Sequence, residues 1–390
     1  MARLIMMTDF SESYAMQLLR GIMRYSQEHD PWVVSRMPLS MRDNGRLEEV
    51  ARFAADWRAD AVIGQFRVTD RLELFSRQGI IPIAQDYVQP FPGVVNIRGD
   101  YVRSGEMAAD FFIGKGIRNF AFYGVKGMVW SDERCRAFQE RVLSQLGDAF
   151  FSAFELTDPS DAWWYDTSET LSWLEQLPKP VAIFACDDNR AYQVVEAVHQ
   201  SRREDMHIPE DILVMGVDND EPLCTLCTPQ LTSVNQDTES AGYRTAALLD
   251  ELLQLPPEKR PEHYRDITVP ATYITPRRST EAFIHRNPHV SRIMYYVNAN
   301  LGNPIRVDDL VKQVPMSRRM LETLFLRETG ISLYQYVIHA RVNRMKELIH
   351  SGRSPVQAAD DLGTEYKIIA RNFKLLTGMT PAEYAKEQRR

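Results

Sequence analysis

Cysteine is scarce in this chain, four residues in 390, which excludes a disulfide framework as the source of stability. Cys224 and Cys227 form a lone Cys-x-x-Cys with no second pair. It reads as a redox or zinc pair or as two ordinary thiols, and the missing partner pair favours the thiols. Long apolar runs are lacking too, so no segment spans a bilayer as a helix. Met1-Ala2-Arg3 leads straight into a strand instead of a signal sequence. A cytoplasmic protein without membrane contact is expected. The chain also has no P-loop, zinc motif or nucleophile elbow. A dinucleotide enzyme needs glycine backbone at the first strand-to-helix turn, where this chain has Thr8-Asp9-Phe10-Ser11, whose carboxylate repels phosphate. No catalytic residue, metal or cofactor is expected.

Charge is unevenly divided. Residues 289–390 hold 16 Lys and Arg against 10 Asp and Glu, a net of +6, while the whole chain carries −7, leaving −13 on residues 1–288. A basic end on an acidic body suits a protein of which only that end approaches phosphates. The basic end contains two short-helix pairs of helix-turn-helix size. The first joins 307–314, through a turn with Pro315, to a helix opening at Ser317 with Leu321, Leu324 and Phe325 on one face. After a long helix over about 332–350, the second opens at Ser354-Pro355, and its second helix is expected to bury Ile369, Phe373 and Leu376. The outward faces carry Ser317, Arg318, Arg319, Glu322 and Thr323 in the first pair and Tyr366, Lys367, Ala370, Arg371 and Lys374 in the second. A helix fits the major groove, so these are the candidate DNA contacts. An ordinary amphipathic bundle is the alternative, and the positive charge argues against it.

This region resembles the AraC/XylS family in Ser317, Leu321, Phe325 and Gly330, in Arg341 of the linking helix, and in Arg371-Asn372-Phe373-Lys374 followed by Gly378-Met379-Thr380-Pro381 and Tyr384. The resemblance implies seven helices, with two recognition helices held on one face of double-stranded operator DNA. The chain departs from the family in having Gly363-Thr364 where a glycine–aromatic pair usually precedes the second recognition helix. The first reader, with Arg319, Glu322 and Thr323, is therefore the better match.

Residues 1–275 form a second, larger unit, and Pro276-Arg277-Arg278-Ser279-Thr280 through Asn287-Pro288 reads as a linker (276–288). Short apolar runs at 4–7, 32–34, 61–63, 80–84, 120–123, 181–185 and 212–217 alternate with helical patterns. That alternation predicts an α/β sensor of two lobes with parallel doubly wound sheets, beside an all-α C-terminal domain with two helix-turn-helix motifs. The lobes are expected over about 1–98 with 235–264 and 101–229 with 268–275, with crossings near 97–101, 229–235 and 264–268.

Ligands of open α/β sheets sit beyond the carboxyl ends of the strands. The residues there are polar and aromatic: Asp9, Phe10, Ser11 and Tyr14; Gln65, Phe66 and Arg67; Gln85, Asp86 and Tyr87; Trp130 and Arg134; Asp187 and Asp188; Asp218 and Asn219. A sugar suits them, because its C–H face packs on aromatic rings while carboxylates and arginines bind its hydroxyls. Each has a plainer reading: Asp187 or Asp188 caps a helix, Asp218-Asn219 makes a turn, and Trp130 packs in the core.

This half resembles the LacI-type, periplasmic-binding-protein-like sensors through Gly99-Asp100-Tyr101, Asn119-Phe120-Ala121-Phe122-Tyr123-Gly124, Ala185-Cys186-Asp187-Asp188, Gly216-Val217-Asp218-Asn219 and Leu231-Thr232-Ser233-Val234. A sensor of that class ahead of a C-terminal AraC-type domain is the order found in regulators of xylose operons. The resemblance implies a D-xylose-responsive transcriptional activator holding the sugar through Asp9, Arg134, Asp187 and Asp218. Its implied partners are operator DNA, RNA polymerase and a second copy of the chain. A transport binding protein would carry no basic domain.

Overall fold

The computed structural model describes residues 2–41, 47–85, 88–157, 167–201, 203, 206–281, 287–350 and 352–387. The chain divides into two units, Met1–Thr280 and Glu281–Arg390.

The first unit starts with β1 (Arg3–Met7), α1 (Ser13–Glu28), β2 (Val33–Met37), α2 (Leu47–Asp56), β3 (Ala61–Gly64), α3 (Glu73–Ser76), β4 (Ile81–Gln85) and β5 (Val95–Gly99). It then forms α4 (Tyr101–Gly114), β6 (Asn119–Val125), α5 (Val129–Leu146), β7 (Phe150–Leu156), α6 (Thr167–Gln176), β8 (Val181–Ala185), α7 (Asp188–Gln200), β9 (Ile212–Val217), α8 (Glu221–Leu226) and β10 (Thr232–Gln236). It closes with α9 (Thr238–Leu253), β11 (Ile267–Val269) and β12 (Ala271–Thr275). One six-stranded sheet has the order β11-β5-β4-β3-β1-β2, and the other β12-β10-β9-β8-β6-β7. All pairings are parallel except β10 with β12. The central strands β3, β4 and β8 are buried throughout, which is why they read as continuous apolar runs. In the first lobe α1 and α9 pack backbone to backbone: a Cβ on Gly21 would stand 1.8 Å from the Glu239 carbonyl oxygen, and one on Gly242 would stand 2.1 Å from that of Leu18.

The crossings lie elsewhere than two of the three expected. The first follows β5 at Asp100, but the second comes at Asp237 and the third at Pro270, because β10 completes the second sheet and β11 the first. The three crossing segments are joined to one another: the Asp100 N–H donates to the Val269 carbonyl (2.8 Å) and the Asp237 N–H to that of Pro270 (3.0 Å). Asp100 and Asp237 also cap α4 and α9, so each fixes a helix start at the hinge.

The start of the expected linker belongs to the sensor. Ser279 and Thr280 are buried, the Ser279 hydroxyl donates to the Val214 carbonyl (2.6 Å), and Arg277 donates to the Leu231 carbonyl and to Asn219 Oδ1, each at 2.7 Å. Residues 282–286 lie outside the described residues.

The second unit consists of α10 (Pro288–Ala299), α11 (Val307–Val311), α12 (Arg318–Thr329), α13 (Leu333–His350), α14 (Pro355–Asp361), α15 (Tyr366–Thr377) and α16 (Pro381–Glu387). Ser317 caps α12 by accepting from the Met320 N–H, and Ser354 forms a reciprocal capping box with Gln357. Leu321, Phe325, Ile369 and Phe373 meet in one core with Met345 and Leu310. Leu376 was expected there, yet it is 38% exposed. It lies on the same face of α15 but in the last turn, beyond the stretch that Ile369 and Phe373 bury.

Candidate functional site

Residues at strand ends and helix starts of both lobes come near one another where the lobes meet. At the end of β1, Asp9 accepts from the Ser11 N–H (2.9 Å) and hydroxyl (2.6 Å), which holds the loop in a tight turn. Phe10 lies under the Arg36 guanidinium at 5.5 Å, and Tyr14 is half-buried against the first core. Glu12, which the sequence did not single out, stands between them at the start of α1 without capping it. Burial pushes its carboxyl up to about 8, helped by the charges of Asp187, Asp9 and Asp218 and opposed by Arg190. Those influences place carboxylates of both lobes around one spot.

From the second lobe, Asp187 caps α7 by accepting from the Arg190 N–H (2.8 Å), and its other oxygen meets Arg190 Nη1 at 3.3 Å. Arg134 is 3% exposed. It donates to the Cys186 carbonyl (2.6 Å) and lies 5.1 Å over the Tyr101 ring. Asp218 and Asn219 both adopt positive φ, 97° and 48°. The Asp218 carboxylate accepts from the Gln236 amide. Burial raises the Asp218 carboxyl; Arg134 pulls it down and Asp187 pushes it up.

Three buried polar atoms here have no hydrogen-bond partner among the described residues: Arg134 Nε, Arg190 Nε and Gln236 Oε1. An unsatisfied buried donor or acceptor costs about 1–3 kcal/mol, and these two donors and one acceptor lie beside Asp187 and Asp218. Arg190 and Gln236 escaped the sequence reading, although Gln236 is the last residue of β10 and the strand-end rule reaches it.

Other expected residues are engaged elsewhere. Asp188 is turned inward, accepting from the Ser233 hydroxyl (2.6 Å), the Asp220 N–H (2.7 Å) and the Cys224 thiol (3.4 Å). It ties α7 to β10 and α8. Phe66 is fully buried in the first lobe with Phe75 and Phe91 around it, so its ring serves the core. The Arg67 N–H donates to Asp70 (2.7 Å) in an exposed turn. Trp130 is half-buried in the first turn of α5, and Asn219 accepts from Arg277. Asp86 and Tyr87 lie outside the described residues. Cys224 and Cys227 are buried and burial raises both thiols, that of Cys227 to about 11. They behave as inert core groups, and among the described residues no cluster of His, Cys, Asp or Glu is arranged to hold a metal.

In the helical unit, α12 and α15 present their cations outward. Arg319, Thr323, Lys367, Arg371 and Lys374 are exposed. Ser317 has its hydroxyl in the cap. Arg318 and Glu322 pair with each other at 3.0 Å, so part of the expected reading face of α12 is internally neutralised. Thr323 donates its hydroxyl to the Arg319 carbonyl (2.8 Å). Tyr366 is half-buried and packs on the helical core, which leaves Lys367, Arg371 and Lys374 as the outward charges of α15. Arg341 donates to the Asn303 carbonyl (2.7 Å) from the middle of α13.

Residues 109–280 match the model of a periplasmic binding protein-like domain, and residues 310–389 that of a helix-turn-helix domain. A sensor-type α/β unit joined to paired helix-turn-helix motifs is the architecture of a sugar-responsive DNA-binding transcriptional regulator. Particular relatives align with most of the chain. The chain is 27% identical to the xylose operon regulatory protein of Escherichia coli (strain K12), over 98% of this chain and 96% of the relative. It is 26% identical to that of Haemophilus influenzae, over 83% and 84%. A solved structure of the xylose-binding transcription activator xylR aligns with 99% of this chain and 98% of its own, with a TM-score of 0.56 and 24% identity.

Proposed function

We propose that this chain is a D-xylose-responsive activator that works as a homodimer on operator DNA and engages RNA polymerase from the bound state. The observation that carries the sugar reading is the set of buried atoms with no partner among the described residues, Arg134 Nε, Arg190 Nε and Gln236 Oε1, beside Asp187 and Asp218. A polyol hydroxyl both donates and accepts, so a ring with adjacent hydroxyls satisfies all three atoms while donating to the carboxylates. Asp9, Glu12 and Tyr14 complete the contacts from the first lobe. The concentration of carboxylates disfavours a phosphorylated sugar. Xylose is the choice among neutral sugars because it is the sugar in the names of the relatives that align over most of the chain.

In this reading the sugar binds the closed arrangement of the two lobes more tightly than the open one. It thereby shifts the population, and the differential affinity sets the limit of the response. Two chains joined through their sensors gain avidity on a repeated operator.

The test is the thermal midpoint of the purified protein against D-xylose, L-arabinose, D-ribose and D-glucose. At a hundred times its dissociation constant the true effector stabilises the folded state by about 2.7 kcal/mol. A shift with D-xylose alone is the expected result. A shift with a different sugar reassigns the effector, and no shift with any of them contradicts the sugar reading.

A further inference from the structure

Residues 306–336 and 354–384 are two copies of one motif, and the equivalence assigns partners across α12 and α15. Phe325 corresponds to Phe373, Gly330 to Gly378 and Tyr336 to Tyr384. The threonines before the glycines make the same contacts: Thr329 and Thr377 each donate to a carbonyl four residues back at 2.7 Å. In the same register Arg319 corresponds to Lys367, Met320 to Ile368 and Thr323 to Arg371.

Met320 and Ile368 are the anomaly in this alignment. They are large apolar side chains, 63% and 54% exposed, each directly following an outward cation on a recognition helix. The buried faces of α12 and α15 are filled by Leu321, Phe325, Ile369 and Phe373, so the core does not require them. Ile368 also borders a cavity of about 120 Å³ against α13, and more than half of its surface still faces solvent. A merely solvated face has no reason to place an apolar group at the same position twice, beside Arg319 in one copy and Lys367 in the other. The polar alternatives on α12 are partly committed, since Glu322 is paired with Arg318 and the Thr323 hydroxyl is returned to its own helix.

We propose that Met320 and Ile368 each contact a thymine methyl group in the major groove, while the neighbouring cations hold phosphate or guanine. The C5-methyl of thymine is the one apolar group that base edges present there, and burying it against a side chain removes apolar surface from water on both partners. The inference rests on the DNA-binding reading and adds which bases two named positions favour.

The test uses the full-length protein and duplexes selected by it from a random-sequence library. Each thymine of a selected duplex is replaced in turn by deoxyuridine, which deletes one methyl and leaves base pairing unchanged. Wild-type protein is expected to lose about three- to fivefold in affinity at one thymine per reader. Met320→Ala is expected to become indifferent to deoxyuridine at one of those positions and Ile368→Ala at the other, with Met320→Leu restoring the preference. Both side chains are exposed, so unchanged thermal midpoints confirm folded variants. Tolerance of deoxyuridine at every position, or equal sensitivity in wild type and Met320→Ala, overturns this inference alone. Failure to select any duplex overturns the DNA-binding reading and this inference with it.

Discussion

Phe325 and Phe373 are equivalent residues in two copies of one helical motif, each meeting a tyrosine edge to face: Phe325 with Tyr336 and Phe373 with Tyr384, both at 5.4 Å between centroids. Each phenylalanine is buried on a recognition helix, and each tyrosine lies on the helix that follows, so the pair fixes the angle at which the recognition helix leaves the core. Phe373→Ala should destabilise the helical unit by about 3–5 kcal/mol, seen as a lower unfolding midpoint with the sensor transition unmoved. An unchanged midpoint would show that the pair does not hold the recognition helix.

Gly363 supports the same unit differently. It has φ of 56°, and a Cβ there would stand 2.2 Å from the Gly302 carbonyl oxygen. Here the chain keeps the glycine that its family resemblance emphasises while lacking the aromatic. Gly363→Ala should cost about 1–3 kcal/mol through strain and displaced backbone, measured by denaturant unfolding; a neutral effect would mean that the loop at Gly302 yields freely.

Arg319 and Lys374 should separate in a binding assay. Arg319→Ala should relax sequence preference at one base step and cost about 1–3 kcal/mol on the preferred duplex. Lys374→Ala should weaken all duplexes alike and reduce the salt slope by about one. Equal loss across sequences for Arg319→Ala would make it a phosphate contact.

The Glu12 carboxyl, raised to about 8 by burial among Asp187, Asp9 and Asp218, has a definite signature. In the unfolded chain it ionises near its ordinary value of 4.5, whereas the folded protein retains the proton until about 8. Stability from this group is therefore complete below pH 4.5 and is lost as pH rises towards 8. Glu12→Gln removes that dependence. Across this window the thermal midpoint of wild type should fall relative to the variant and then run parallel to it above pH 8; a constant difference would place Glu12 in solvent.

Much of this was legible from the sequence, for a physical reason. Strands buried on both faces must be apolar runs, so β1, β3, β8 and β9 stand out, and the residues beyond them had to be polar. The edge strand β7 is half-exposed and β11 has three residues, so neither carries that pattern. Adjacent carboxylates were harder: sequence cannot decide which of Asp187 and Asp188 faces outward. That depends on Ser233 and Cys224, some forty residues away along the chain, which capture Asp188. Glu12 depends on the meeting of two lobes, a long-range event with no local signal. In the helical unit the charges of α12 and α15 were legible, while the pairing of Arg318 with Glu322 needed coordinates.

Whether a sugar bound between the lobes changes DNA binding is read from duplex affinity at fixed salt with and without D-xylose, for wild type and Asp218→Ala. Wild type should show a saturable change of about fivefold or more, and the Asp218→Ala protein should keep the basal affinity but no longer respond. An affinity indifferent to D-xylose, or a variant that loses basal binding and response together, would contradict sugar control of DNA binding.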